Sequence, residues 1–256
     1  MKTAYINIWN KRVGAVSWDE ERKLGSFEFD PSFISNNWNI SPIKMPINKD
    51  GQIFNFPELI GSTTYKGLPG MLADVLPDRY GNTLINTWLA RNGRQPDSMH
   101  PVEMLCFTGN RGMGALEFEP VSPKTSDTAS KIEISGLIEI AQDILNNRNS
   151  FHASLNEDEE KALTDILKVG TSAGGARAKA LIAYNEKTGE VRSGQATAPN
   201  GFEHWLIKFD GVHDTQFGES SSYGRVEMAY YHMAIACGIE MTECRLLEEN
   251  DRAHFM

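Results

Sequence analysis

Residues 178–250 read strand, strand, strand, helix, strand, and this order constrains the fold more than any other feature of the chain. "AKALIAY", "GEVRSGQAT" and "EHWLIKFDG" are rich in β-formers and are parted by polar, Gly-containing turns. "SSYGRVEMAYYHMAIACG" then has helical character and ends at Gly238, where a C-cap glycine belongs, and "IEMTECRLLEEN" returns to a strand pattern. This half is expected to form an antiparallel sheet with helices. Ahead of it, "ISGLIEIAQDILNN" and "NEDEEKALTDILKVG" have helical spacing, the second with an acidic first turn that suits the helix dipole.

The first half has a different character. "AYINIW", "RVGAVSW" and "GSFEFD" alternate with period 2 and read as a β-meander. A looser stretch broken by prolines and the "NKDGQ" turn follows. In "GLPGMLADVLPDRYGNTLINTWLARNG", Asn82 or Thr83 can cap a helix that puts Leu84, Ile85, Trp88 and Leu89 on one face, with Gly93 closing it. Asp74 and Asp78 could pair as acids, but they lie around a proline turn and read rather as caps or braces for it. "HPVEMLCFTG" reads as a short helix and "GALEFEP" as a closing strand. "VSPKTSDTAS", residues 121–130, is small and polar and reads as a linker. The expected organisation is therefore α+β: a β-rich subdomain over 1–120, the linker, and a second domain over 131–256.

Composition narrows the functions. The chain has 256 residues and a net charge of −9, which argues against broad direct binding to DNA or to an anionic membrane surface. No apolar run approaches the roughly 18–20 residues of a membrane span, and the N-terminus lacks the continuous apolar core of a signal peptide. Cys106, Cys237 and Cys244 show no CxxC spacing and read as reduced thiols of a cytoplasmic protein. The histidines are scattered without metal-ligand spacing, so no metal site is expected.

Two stretches carry candidate chemistry. In "TSAGGARAK", Gly174 and Gly175 permit a backbone nest of amides for an anion, Ser172 adds a hydroxyl, and Arg177 and Lys179 add charge. The Gly-Lys-Ser/Thr ending of a Walker loop is missing, and an ordinary turn is the alternative. In "HWLIKFDG", Lys208 shares a strand face with Leu206, where a lysine is costly to bury without a partner. The next helix offers Glu227. A snorkelling lysine and a solvated glutamate are the plain readings of each alone. In chain order, however, Gly-rich turn, strand lysine and helix glutamate within a βββαβ pattern make the layout of a protein-kinase N-lobe.

With these residues laid out, the chain resembles the HipA family, the serine/threonine-kinase toxins of bacterial toxin–antitoxin systems. "GLPGMLADVLPDRYGNTLIN" and "RGMGALEFEP" are similar to the family's Leu-Pro-Asp and Gly-Ala-Leu segments. "GTSAGGARAKALI" is similar to its atypical phosphate loop, "HWLIKFDG" to its nucleotide-lysine strand, and "VEMAYYHMAIACGIEM" to the following helix. The resemblance implies a kinase-like N-lobe behind an added β-rich subdomain. It implies that Ser172 is a self-phosphorylated loop serine and that Ala173, Gly174, Gly175 and Ala176 wrap the phosphates of ATP. Arg177 and Lys179 would lie close by, Lys208 would bind phosphate, and Glu227 would hold Lys208. A phosphoserine adds about −1.5 to −2 charges to a loop that receives phosphate, so modification of Ser172 is expected to switch the enzyme off.

The resemblance also implies Mg2+ and ATP as cofactors and a protein substrate, such as an aminoacyl-tRNA synthetase or another translation component. It implies a helix-turn-helix antitoxin of the HipB type, with operator DNA reached through that antitoxin. The chain ends at "NDRAHFM", before the lobe that would carry the family's catalytic aspartate and metal ligands. No catalytic residue is therefore expected within it, and alone it is expected to be inactive as a kinase. A non-catalytic nucleotide- or partner-binding subunit of a toxin–antitoxin complex is the other reading.

Overall fold

The computed structural model describes residues 2–36, 38–47, 51–91, 93–110, 112, 114–120, 178–194, 198–212, 222–249 and 251–256. The chain packs as two units, one of Met1–Pro77 with Pro96–Ser126 and one of Asp78–Gln95 with Asp127–Met256.

In the first unit, the period-2 runs become β1 (Thr3–Ile8), β2 (Lys11–Asp19) and β3 (Leu24–Phe29), joined by β4 (Ile53–Phe54) and β5 (Leu116–Pro120). They form one antiparallel sheet in the order β4-β3-β2-β1-β5. Trp9 and Asn10 turn β1 into β2 with both residues in the left-handed region, φ 47° and 62°, which suits the twist of a tight hairpin. Alternation delivers Ala4, Ile6, Val16, Phe27 and Phe29 to one buried cluster. Two short helices, α1 (Pro31–Ile34) and α2 (Gly70–Ala73), add Phe33 and Leu72 to it.

α3 (Arg79–Arg91) belongs to the second unit and buries Leu84, Ile85 and Leu89. α4 (Pro101–Thr108), back in the first unit, packs on β1 and β2 through Val102 and Leu105. His100 caps α4: its Nδ1 accepts the Glu103 N–H at 3.2 Å while its ring stacks on Trp18, centroids 5.6 Å apart.

The second unit holds β6 (Lys179–Asn185), β7 (Glu190–Ser193), β8 (Glu203–Lys208), α5 (Tyr223–Ala236), β9 (Leu246–Glu249) and β10 (Arg252–Phe255). The strands form a second antiparallel sheet ordered β7-β6-β8-β10-β9. The fold is α+β, with two antiparallel sheets.

Three details differ from the sequence reading. α3 starts earlier than Asn82 or Thr83: Asp78 caps it, its Oδ1 accepting the Gly81 N–H at 2.7 Å. The C-terminal strand is a hairpin, β9 and β10, turned at Asp251 with φ 63°, a conformation Asp tolerates better than most residues. Residues 78–95 group with the second unit rather than with the segment that surrounds them in sequence, because an amphipathic helix does not specify which apolar surface receives its stripe. The linker at 121–130 and the helices expected between 131 and 169 lie outside the described residues.

Candidate functional site

The site is built on the end of β8. Register places Lys208 directly opposite Lys179 of β6 on one side and Phe255 of β10 on the other. Directly opposed residues in an antiparallel pair share a sheet face, so both lysines project from the same face.

Hydrogen bonds just past Lys208 fix the strand's end. Phe209 N–H donates to the Ala178 carbonyl at 3.1 Å, and Asp210 N–H donates to His254 Nδ1 at 2.8 Å. Ala253 N–H in turn donates to Asp210 Oδ2 at 3.4 Å. His254 is fully buried, with Nε2 3.5 Å from Glu249 Oε1. Burial pushes its imidazole below the usual value, against the pull of Glu249 and Asp210.

Lys208 forms an ion pair with Glu227 of α5. The helix reaches the sheet through Gly224: a Cβ there would stand 1.9 Å from the Ala253 carbonyl oxygen. Only glycine permits that approach, and Glu227 lies one turn further on the same helical face. The Lys208 side chain stays 39% exposed, its ammonium 5.5 Å from the Phe255 ring centroid, so a ligand can reach it. Cys244 lies close to the pair, and burial pushes its thiol up, away from a reactive thiolate.

Lys179 sits in a different environment. Its side chain is 5% exposed, and its Nζ is 3.4 Å from Asp78 Oδ2 at the start of α3. Burial pushes the ammonium below its usual range, Asp78 opposes that, and the charge of Lys208 adds to it. Two lysines therefore stand on adjacent strands of one face, each matched to its own carboxylate. Ammonium groups so placed can donate charge-assisted hydrogen bonds to the oxygens of a polyphosphate.

Of the residues singled out in the sequence, the structure brings Lys179, Lys208 and Glu227 together. Ser172, Ala173, Gly174, Gly175, Ala176 and Arg177 lie outside the described residues. Gly224, Asp210 and His254 had no site role in the sequence reading, and Asp78 reads there only as one of a pair of acids or as a brace for the proline turn. Asp78 and Lys179 stand 101 positions apart, so no local spacing could pair them. Among the described residues, no group of three or more His, Cys, Asp or Glu side chains is placed to hold a metal ion, and no helix is long and apolar enough to cross a membrane.

Fold and site together define an α+β chain whose second sheet presents a lysine–glutamate pair between strand and helix. The chain belongs to the HipA family: residues 4–119 match the family model of the HipA N-terminal domain, and residues 171–256 match that of the HipA-like C-terminal domain. Among solved structures it is similar to a chain of the Shewanella oneidensis MR-1 toxin–antitoxin complex of HipA, HipB and operator DNA, with a TM-score of 0.58 and 14% identity. The alignment covers 98% of this chain and 49% of that one, so the chain spans about half the length of the structure it matches. No curated protein matches it.

Proposed function

We propose that this chain supplies the nucleotide-phosphate side of a HipA-type protein serine/threonine kinase. The kinase uses Mg-ATP to phosphorylate a protein hydroxyl and is neutralised by a DNA-binding antitoxin of the HipB type. What supports this reading is the Lys208–Glu227 pair, set between strand and helix in a unit that matches the HipA-like C-terminal model. Lysine–glutamate pairing of this kind orients an ammonium toward nucleotide phosphates in kinases.

The donor set suits the ligand. Lys208 is exposed enough to exchange part of its contact with Glu227 for phosphate oxygens, and Lys179 adds a second charge on the same face. Ser172, Ala173, Gly174, Gly175, Ala176 and Arg177 precede Lys179 directly in the chain, and on this reading they wrap the phosphates. Bound Mg-ATP supplies the γ-phosphoryl group; the residues of this chain bind and orient it. Phosphorylation of Ser172 would place a dianion where the nucleotide phosphates belong and shut the site.

The partner follows from a related consideration. The similar HipA is solved with HipB and operator DNA. A chain of net charge −9 suits contact with DNA through a basic partner better than direct contact. The protein substrate on this reading is a translation component such as an aminoacyl-tRNA synthetase.

The test is calorimetric titration of Mg-ATP into the wild-type chain and into Lys208→Ala. Losing a hydrogen bond between charged groups costs about 1.5–3 kcal/mol, so affinity is expected to fall about tenfold or more. Affinity that does not depend on Lys208 would overturn the assignment.

A further inference from the structure

We infer that Asp78 is a positioning residue for the phosphate-facing cations, fixing Lys179 in place beside Lys208. The role rests on the nucleotide reading above and adds to it a residue from the Leu-Pro-Asp segment, which that reading leaves without a function.

The first observation is the register. Lys179 and Lys208 face each other directly across β6 and β8, and like charges so opposed repel. The second is the contrast in burial: the Lys179 side chain is 5% exposed and that of Lys208 39%. Water can screen Lys208, whereas a lysine as enclosed as Lys179 keeps its proton only beside a fixed negative charge.

The third observation is that Asp78 is itself immobilised. Its Oδ1 accepts the Gly81 N–H at 2.7 Å, its backbone carbonyl accepts the Asn82 N–H at 2.8 Å and the Asn82 side-chain amide at 2.7 Å, and its Oδ2 is left for Lys179 at 3.4 Å. One carboxylate thus both starts α3 and anchors Lys179, so the cation cannot swing away when the site is empty. Among the described residues, the charged groups facing Lys179 include Asp78 from the start of α3 and Lys208 from β8, the latter itself paired with Glu227 of α5.

The consequence concerns protons. With Asp78 present, its carboxylate opposes the loss of a proton that burial favours at Lys179. Without the carboxylate, burial and Lys208 both favour the neutral amine, and a phosphate must then draw a proton onto Lys179 as it binds. Nucleotide affinity should become more steeply pH-dependent on the alkaline side.

The experiment titrates Mg-ATP into the wild-type chain, Asp78→Asn and Asp78→Asn/Lys179→Met at about pH 7 and about pH 9. Asparagine retains the capping ability of Asp78, so the start of α3 survives the change; if Asp78→Asn does not fold, Asp78→Ser takes its place. The expected result is a fall between the two pH values that is about fivefold or more steeper in Asp78→Asn than in the wild type, with no such excess in the double variant. A purely structural role would lower affinity equally at both pH values, and that outcome, like an Asp78→Asn profile identical to wild type, overturns the inference. Absence of nucleotide binding by the wild type at either pH overturns the nucleotide reading itself, and the role with it.

Discussion

Single residues here do work that depends on where burial places them. Lys179 and Lys208 are the same side chain on one sheet face, yet one is enclosed beside Asp78 and the other is open beside Glu227. The open lysine can trade its carboxylate for a ligand; the closed one acts as a fixed charge. His254 shows the same principle in stability. Its folded value lies below the ordinary 6.5 because burial disfavours the imidazolium. Below that ordinary value the unfolded chain takes up more protons than the folded one, so stability is full above it and is lost as pH falls toward the folded value. The urea midpoint is therefore expected to drop between about pH 7.5 and about pH 5.5 in the wild type, and to drop less in His254→Asn. An unchanged slope in the variant would show that burial of His254 is not the source.

At the scale of elements, α5 approaches β10 closely at Gly224. Alanine or valine would ordinarily favour a helix over glycine, but a Cβ only 1.9 Å from the Ala253 oxygen must push the helix off the sheet. Gly224→Val is expected to cost about 1–3 kcal/mol or more, by analogy with over-packed cores, and to weaken nucleotide binding by carrying Glu227 away from Lys208. Met233→Ala, on an exposed part of the same helix, should stay within about 0.5 kcal/mol of wild type. Thermal denaturation and calorimetry on both variants check this, and a Gly224→Val protein that binds and melts like wild type would contradict the packing account. Most elements were legible in the sequence. The period-2 runs became β1, β2 and β3, and the strand-strand-strand-helix order became β6, β7, β8 and α5. The β9–β10 hairpin was not separated, because an Asp in a left-handed turn leaves a weaker mark than Gly or Pro.

For the whole molecule, two units mean two cores. The first is centred on the β1–β3 meander, with Phe27 fully buried against Phe29. Phe27→Ala is expected to destabilise that unit by about 3–5 kcal/mol while leaving Mg-ATP affinity within about twofold, since every described residue assigned to the site belongs to the other unit. Scanning calorimetry together with nucleotide titration checks both halves of the statement. By itself, the sequence determined the α+β class, the strand and helix types, the HipA resemblance and the pairing of Lys208 with Glu227 as a candidate. Each of these rests on local periodicity or on motifs short enough to read along the chain. Only the tertiary structure decided that α3 joins the second unit, that Asp78 is a partner of Lys179, and that Gly224 lets α5 touch β10. Those facts depend on which distant surfaces meet. Local pattern states that a side chain needs burial or a counter-charge; packing across 101 positions decides which residue provides it.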